Sequence, residues 1–157
     1  DSRPASSILK NLRTLHIRMK QHSMNSLYLA EKFESDGLTT VYPGLESHPS
    51  HKIFKEMMNT EYGFGGMMTI DAGSLDKANA LMELMQQENL GYLAVSLGFY
   101  KTLFSAPGSS TSSEIPEDEQ KEMGLTDGLI RFSIGLDDDI ESTYELMKSC
   151  MIALGIL

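Results

Sequence analysis

Asp127-Gly128-Leu129-Ile130-Arg131-Phe132-Ser133-Ile134-Gly135 is the stretch on which the fold turns. Its middle, Leu129 to Ile134, reads as a short apolar strand with one cation in it. Asp137 then follows as the cap of a closing helix that carries Ile140, Tyr144, Met147, Met151 and Leu154 at spacings of three and four. A strand feeding a helix of that kind needs a layered partner, and the residues upstream supply it. Leu93 to Leu97 is short and apolar, Met67 to Asp71 follows the run Gly63-Phe64-Gly65-Gly66, and Thr39 to Tyr42 precedes the turn pair Pro43-Gly44. Between these strands lie a turn of helix at Ser50 to Met58 and a helix capped by Ser74 with Leu75, Ala78, Met82 and Met85. Ser105 to Ser113 is a loop by composition, and Pro116 opens a short acidic helix to Met123.

The chain begins with a long periodic stretch from about Ser6 to Ser35, in which Ile8, Leu12, Leu15, Met19, Ser26, Ala30 and Phe33 share a face. It reads as one helix, ended by Asp36-Gly37. A helix of this length exceeds the norm inside a compact domain and is expected to bridge two bodies. The expected division is residues 1–36 as a linking helix and residues 37–157 as a small domain. The fold class is α+β, a two-layer arrangement with a small, mostly antiparallel four-stranded sheet and helices on one face.

Composition limits the function. The chain has 157 residues, 13 Lys and Arg against 22 Asp and Glu, a net charge of -9, and 41% hydrophobic residues. That is enough to bury about two-thirds of the unfolded surface. With only four arginines and no basic patch, nucleic acid is not an expected partner. No apolar run reaches the ~20 residues of a membrane span, and no signal-peptide pattern opens the chain. It begins at Asp1 rather than Met, in keeping with processing or truncation. The single cysteine, Cys150, falls in an apolar helical pattern and reads as a small core residue of a reduced, cytoplasmic protein.

Among residues that carry chemistry, Arg131 stands out. A guanidinium in an apolar strand must find an anion or reach solvent. The anion is either an internal carboxylate or a small-molecule carboxylate held in the bidentate fork. Ser96, at the end of the third strand, is placed to help if the two strands are neighbours; Ser96-Leu97-Gly98 is no nucleophile elbow. The run Gly108-Ser109-Ser110-Thr111-Ser112-Ser113 offers hydroxyls and amides to an anion, or is simply a polar loop. His48 and His51 lack the neighbours a zinc site needs, and His16 and His22 on the long helix read as structural. Gly63-Phe64-Gly65-Gly66 enters a strand instead of leaving one, so it reads as a backbone bend, not a dinucleotide fingerprint.

Six ordered blocks resemble the trans-sulfuration enzymes, the Cys/Met-metabolism branch of the fold-type-I pyridoxal-phosphate (PLP) enzymes. They are Leu12-Arg13-Thr14-Leu15 with Arg18-Met19 and Gln21-His22, Val41-Tyr42-Pro43-Gly44-Leu45, Ser47-His48-Pro49, Gly63-Phe64-Gly65-Gly66-Met67, Val95-Ser96-Leu97-Gly98, and Asp127 to Gly135. The resemblance runs nearly end to end and is to the C-terminal domain. Within the family, Tyr62 to Gly66 and Gly108 to Glu114 look most like the methionine gamma-lyase branch, with cystathionine synthases and lyases and O-acetylhomoserine sulfhydrylases as alternatives. Other members usually carry Ala-Ser-Met-Thr-His-Ser where this chain has Gly108 to Ser113.

The resemblance implies that Arg131 grips the α-carboxylate of a sulfur amino acid, with Ser96, Thr111 and Val95 beside it. It implies PLP as cofactor, bound by an N-terminal domain outside this chain, since none of the nine lysines occupies the family's Schiff-base motif. It also implies a homotetramer for the intact enzyme and no catalysis by this piece alone. From a different class, a freestanding amino-acid-binding module would show a self-covered first helix, whereas a piece of an enzyme would leave its apolar stripe open.

Overall fold

In the computed structural model, which describes residues 2–108 and 114–157, the elements run α1 (Ser2–Leu12), α2 (Leu15–Ser35), β1 (Thr40–Val41), α3 (His51–Met57), β2 (Met67–Asp71), α4 (Leu75–Gln87), β3 (Tyr92–Leu93), β4 (Leu103–Ser105), α5 (Glu117–Glu122), β5 (Leu129–Ser133) and α6 (Ile140–Ala153). The strands form one sheet in the order β1-β2-β5-β4-β3. Neighbours are antiparallel except β3 and β4, which run parallel. The α+β expectation holds, but the sheet has five strands, not four. The added strand is β4, three residues long and too short for any alternation to be legible; its last residue, Ser105, falls in what composition marks as loop.

Two further boundaries differ from expectation. The third strand is only Tyr92–Leu93, and after Ala94 donates to the Phe104 carbonyl at 3.1 Å the chain leaves the edge. Val95 and Leu97 are therefore exposed, not core. The closing helix is capped by Asp139, whose carboxylate accepts from the Ser142 amide at 3.2 Å. Asp137, the expected cap, instead accepts the Thr143 hydroxyl at 2.5 Å.

Side-chain alternation decides which face of the sheet is covered. Met68 and Ile70 of β2, Ile130 and Phe132 of β5 and Phe104 of β4 are buried against helices α2, α4 and α6. Those helices contribute Leu29, Ala30 and Phe33; Ala78, Leu81, Met82 and Met85; and Tyr144, Met147, Cys150 and Met151. Cys150 is part of this core, and burial pushes its thiol pKa up.

The opening stretch is two helices, not one. The Asn11 carbonyl is taken by the Thr14 amide at 3.4 Å and by the Arg18 guanidinium at 2.8 Å, so the helical ladder breaks at Arg13–Thr14. Only the second half of α2 enters the core. Ile8 and Leu12 on α1 are 61% and 53% exposed.

The bend expected at Gly63-Phe64-Gly65-Gly66 is present. Gly63 has φ +69°, and a Cβ there would sit 2.7 Å from the Ser23 hydroxyl. The Ser23 hydroxyl in turn accepts from the Gly65 amide at 2.6 Å, which fixes how the chain enters β2.

Asp36, just past α2, is tied to α6 by Lys148 at 2.6 Å and the Tyr144 hydroxyl at 2.5 Å. Burial works against its ionisation, but the hydrogen bonds from Lys148 and Tyr144 outweigh it and hold the carboxyl below its usual value of 3.8. A carboxyl depressed on folding stabilises the fold above its unfolded pKa and stops doing so as pH falls through its folded pKa. The midpoint gap between wild type and Asp36→Asn is therefore expected to be full at neutral pH, about 2–4 °C, and to close below about pH 4. Thermal melts at pH 7 and pH 3 check this; a gap that stays constant on acidification would show that the ionised form is not what stabilises.

Candidate functional site

The face of the sheet turned away from the helices carries the other set of side chains. Strand register places Thr69, Arg131 and Ser105 in one row across β2, β5 and β4, and Met67, Ser133 and Leu103 in the next. Arg131 thus sits at the middle of the sheet because Ile130 and Phe132 on either side of it must point into the core.

Residues 95–98 are drawn over this face. The Arg131 Nη2 donates to the Val95 carbonyl at 3.1 Å, and the Gly98 amide donates to the Ser133 hydroxyl at 2.9 Å. Ser96 stands between those two anchors with its side chain exposed. Of the expected site residues, then, Arg131 and Val95 meet directly, through the Val95 backbone. Ser96 is the next residue along from Val95, and Thr111 lies outside the described residues.

No internal carboxylate neutralises Arg131 among the described residues. The ion pairs there are Lys20–Glu61 at 2.7 Å and Lys148–Asp36 at 2.6 Å. The acidic residue on the same face of β2, Asp71, spends its oxygens on the Gly73 amide at 2.7 Å and the Thr126 hydroxyl at 2.8 Å. Arg131 Nε is buried and makes no hydrogen bond, and the same is true of the Ser105 hydroxyl. A permanently charged guanidinium with an unmet buried N–H is an unusual thing for a fold to retain, since such a group costs about 1–3 kcal/mol. Ser105 had no visible signal in the sequence, because its strand was itself invisible there.

Three of the four histidines have structural partners, and His16 stands at an exposed position on α2. His22 is buried with Nδ1 2.6 Å from the Ile134 carbonyl, His48 Nδ1 accepts from the Ser50 amide at 3.1 Å, and the His51 ring stacks on Phe64 with Nδ1 3.0 Å from the Pro43 carbonyl. Five of the lysines are engaged away from Arg131. Lys20 and Lys148 are ion-paired, Lys77 donates to the Gly155 carbonyl at 2.5 Å, and Lys32 and Lys101 lie over tyrosine rings. Lys10, Lys52 and Lys55 stand on exposed helical positions.

The family described as Cys/Met metabolism PLP-dependent enzyme matches residues 2–150. A methionine gamma-lyase of Arabidopsis thaliana is 40% identical over 141 residues, which cover 89% of this chain and 32% of that protein. A cystathionine gamma-lyase of Dictyostelium discoideum is 36% identical over 133 residues, covering 83% of this chain and 33% of its own length. Among solved structures, a putative O-acetylhomoserine (thiol)-lyase of Campylobacter jejuni, determined with N'-pyridoxyl-lysine-5'-monophosphate, superposes with a TM-score of 0.83 at 29% identity, covering 92% of this chain and 34% of that one. Yeast cystathionine gamma-lyase gives a TM-score of 0.84 at 27% identity, covering 93% and 37%. The chain spans about a third of the length of these relatives.

A pyridoxyl group in that relative is joined to a lysine, and no described lysine of this chain is placed beside Arg131 to play that part. Among the described residues, Arg131 presents a fork of donors of the kind that suits a carboxylate, and no lysine stands beside it as a holder for the cofactor. With its match over residues 2–150, its sheet and its centrally placed arginine, the chain belongs to the PLP-dependent enzymes of cysteine and methionine metabolism.

Proposed function

We propose that this chain is the substrate-holding part of a PLP-dependent carbon–sulfur lyase of the methionine gamma-lyase type, in which Arg131 grips the α-carboxylate of the amino acid. One observation carries the reading: Arg131 lies mid-sheet with its Nε buried and unpartnered and with no carboxylate of the described residues within reach. A planar fork of N–H donors is the natural complement of a carboxylate. Ser96 offers its hydroxyl beside the Val95 carbonyl that Arg131 already contacts; the resemblance adds Thr111, which lies outside the described residues. The 40% identity to a methionine gamma-lyase supports the choice within the family.

PLP, bound by the rest of the enzyme, supplies the electron sink for bond cleavage beyond the α-carbon. What this chain contributes is orientation. A carboxylate fixed at Arg131 sets the direction in which the remainder of the amino acid points, and such positioning accounts for several kcal/mol of a barrier.

Alone, the chain is inactive. The exposed stripe Ile8, Leu9 and Leu12 on α1, and a 520 Å³ groove between the α1–α2 junction, α3 and the Tyr62-Gly63-Phe64 turn, support a missing N-terminal domain over this surface. The intact enzyme is a homotetramer in the cytoplasm. None of the helices among the described residues is long and apolar enough to cross a membrane.

The test is product analysis on the full-length protein loaded with PLP. Methionine is expected to give methanethiol, ammonia and 2-oxobutanoate faster than cystathionine is consumed, and residues 1–157 alone are expected to give none. Preference for cystathionine would move the protein to the cystathionine lyases; inertness toward both would overturn the lyase reading.

A further inference from the structure

We infer that Ser105 is a positioning residue for Arg131: its hydroxyl accepts the Arg131 Nε–H when the guanidinium turns from the Val95 carbonyl to a bound carboxylate. This rests on the reading of Arg131 as the carboxylate grip. Among the described residues, two buried side-chain polar atoms lack a hydrogen-bond partner, and they are Ser105 Oγ and Arg131 Nε. Ser105 and Arg131 are Cα partners in the β4–β5 ladder. Residues directly opposite on one face have Cβ atoms about 4.5–5.5 Å apart, so a short hydroxyl and the Nε of a long side chain are within a small rotation of each other.

The chemistry of the two atoms matches. Nε–H is a donor only, and a serine hydroxyl has lone pairs to receive it. Two unmet groups, each destabilising the protein while unpaired, would be satisfied together by one bond. In the structure the guanidinium is instead held by Nη2 on the Val95 carbonyl at 3.1 Å, a bond to a backbone atom of an exposed segment. A ligand carboxylate displaces that carbonyl, being charged where the carbonyl is neutral. The turn frees Nη2 for the ligand and brings Nε toward Ser105, which then fixes the plane of the fork. Thr69, the third member of the row, is the neighbour on the other side of Arg131. Ser105 touches neither substrate nor cofactor in this account and acts only through Arg131.

The experiment uses the full-length holoenzyme. Ser105→Ala is expected to raise KM for the amino acid about tenfold while leaving kcat within about threefold, the loss of a hydrogen bond to a charged group being felt in ground state and transition state alike. Ser105→Thr, which keeps the hydroxyl, is expected to restore KM, and the thermal midpoint of both variants to stay near that of the wild type. Unchanged KM in a folded Ser105→Ala overturns the proposal. Arg131→Ala in parallel separates the two readings. If it weakens binding while Ser105→Ala does not, only the role of Ser105 falls; if neither does, the carboxylate grip falls as well. A crystal structure of the wild-type holoenzyme with a bound amino-acid inhibitor decides the matter without variants: Ser105 Oγ within hydrogen-bond distance of Arg131 Nε upholds it, and a separation beyond about 3.5 Å overturns it.

Discussion

Arg131→Ala in the full-length enzyme is expected to lower kcat/KM about 10²–10³-fold, or about 3–4 kcal/mol of transition-state stabilisation. The figure follows from removing a bidentate, charge-assisted contact in a partly desolvated place, where truncation also leaves the ligand carboxylate without its counter-charge. Fold stability is expected to move the other way. In the unliganded protein Arg131 contributes one hydrogen bond to a backbone carbonyl and carries a buried, unmet Nε–H, so its removal should leave the thermal midpoint unchanged or slightly raised. A residue kept for the fold would show the opposite pair of results. Arg131→Lys retains the charge without the fork and should recover only part of the loss. Steady-state kinetics beside a thermal melt read both quantities; wild-type kcat/KM in Arg131→Ala would remove the basis of the substrate assignment.

The largest loss of stability is expected from the adjacent residue on the opposite face. Phe132 is fully buried, pairs in register with Met68 and Phe104, and meets the Phe104 ring edge-on at 6.1 Å. Phe132→Ala should destabilise the fold by about 3–5 kcal/mol, the transfer of a ring from a close-packed core plus the cavity it leaves. That is a large share of the ~5–15 kcal/mol of an ordinary domain. Phe132→Leu, which fills much of the same space, should lose far less. Chemical denaturation of wild type and both variants makes the comparison. A loss below about 1 kcal/mol in Phe132→Ala would mean that the helices do not close on the centre of the sheet.

What could be read beforehand was whatever repeats or breaks a pattern over many residues. The stripe of α6, the Ser74 cap of α4 and the central strand at Leu129–Ser133 all announced themselves, because burial imposes periodicity there. Strand β4 did not, because three residues carry no period and its membership is decided by partners far away in sequence, Arg131 to Ser133. Leu93 to Leu97 misled for a related reason. Its apolar residues look like core, yet the chain leaves the sheet after Leu93 and lays Val95 and Leu97 outward. The helix break at Arg13–Thr14 arises from Arg18 reaching back to the Asn11 carbonyl, a side-chain choice that no helix propensity reveals. At the site, a charge in an apolar strand was enough to single out Arg131. Ser105 became visible only once the ladder set it opposite.

The order β1-β2-β5-β4-β3 puts the last strand of the chain in the centre of its sheet. During synthesis, β1 and β2 can pair early and β3 and β4 can pair early, but the two halves have nothing to join them until Leu129–Ser133 has left the ribosome. At ~5–20 residues per second that is a wait of several seconds, during which the inner edges of β2 and β4, with Met68, Ile70 and Phe104, stay open. Such long-range closure is slow and leaves edges free to pair wrongly. A nascent chain stalled before Leu129 should therefore be a strong client for chaperones, and its release should coincide with the emergence of the strand that bears the arginine.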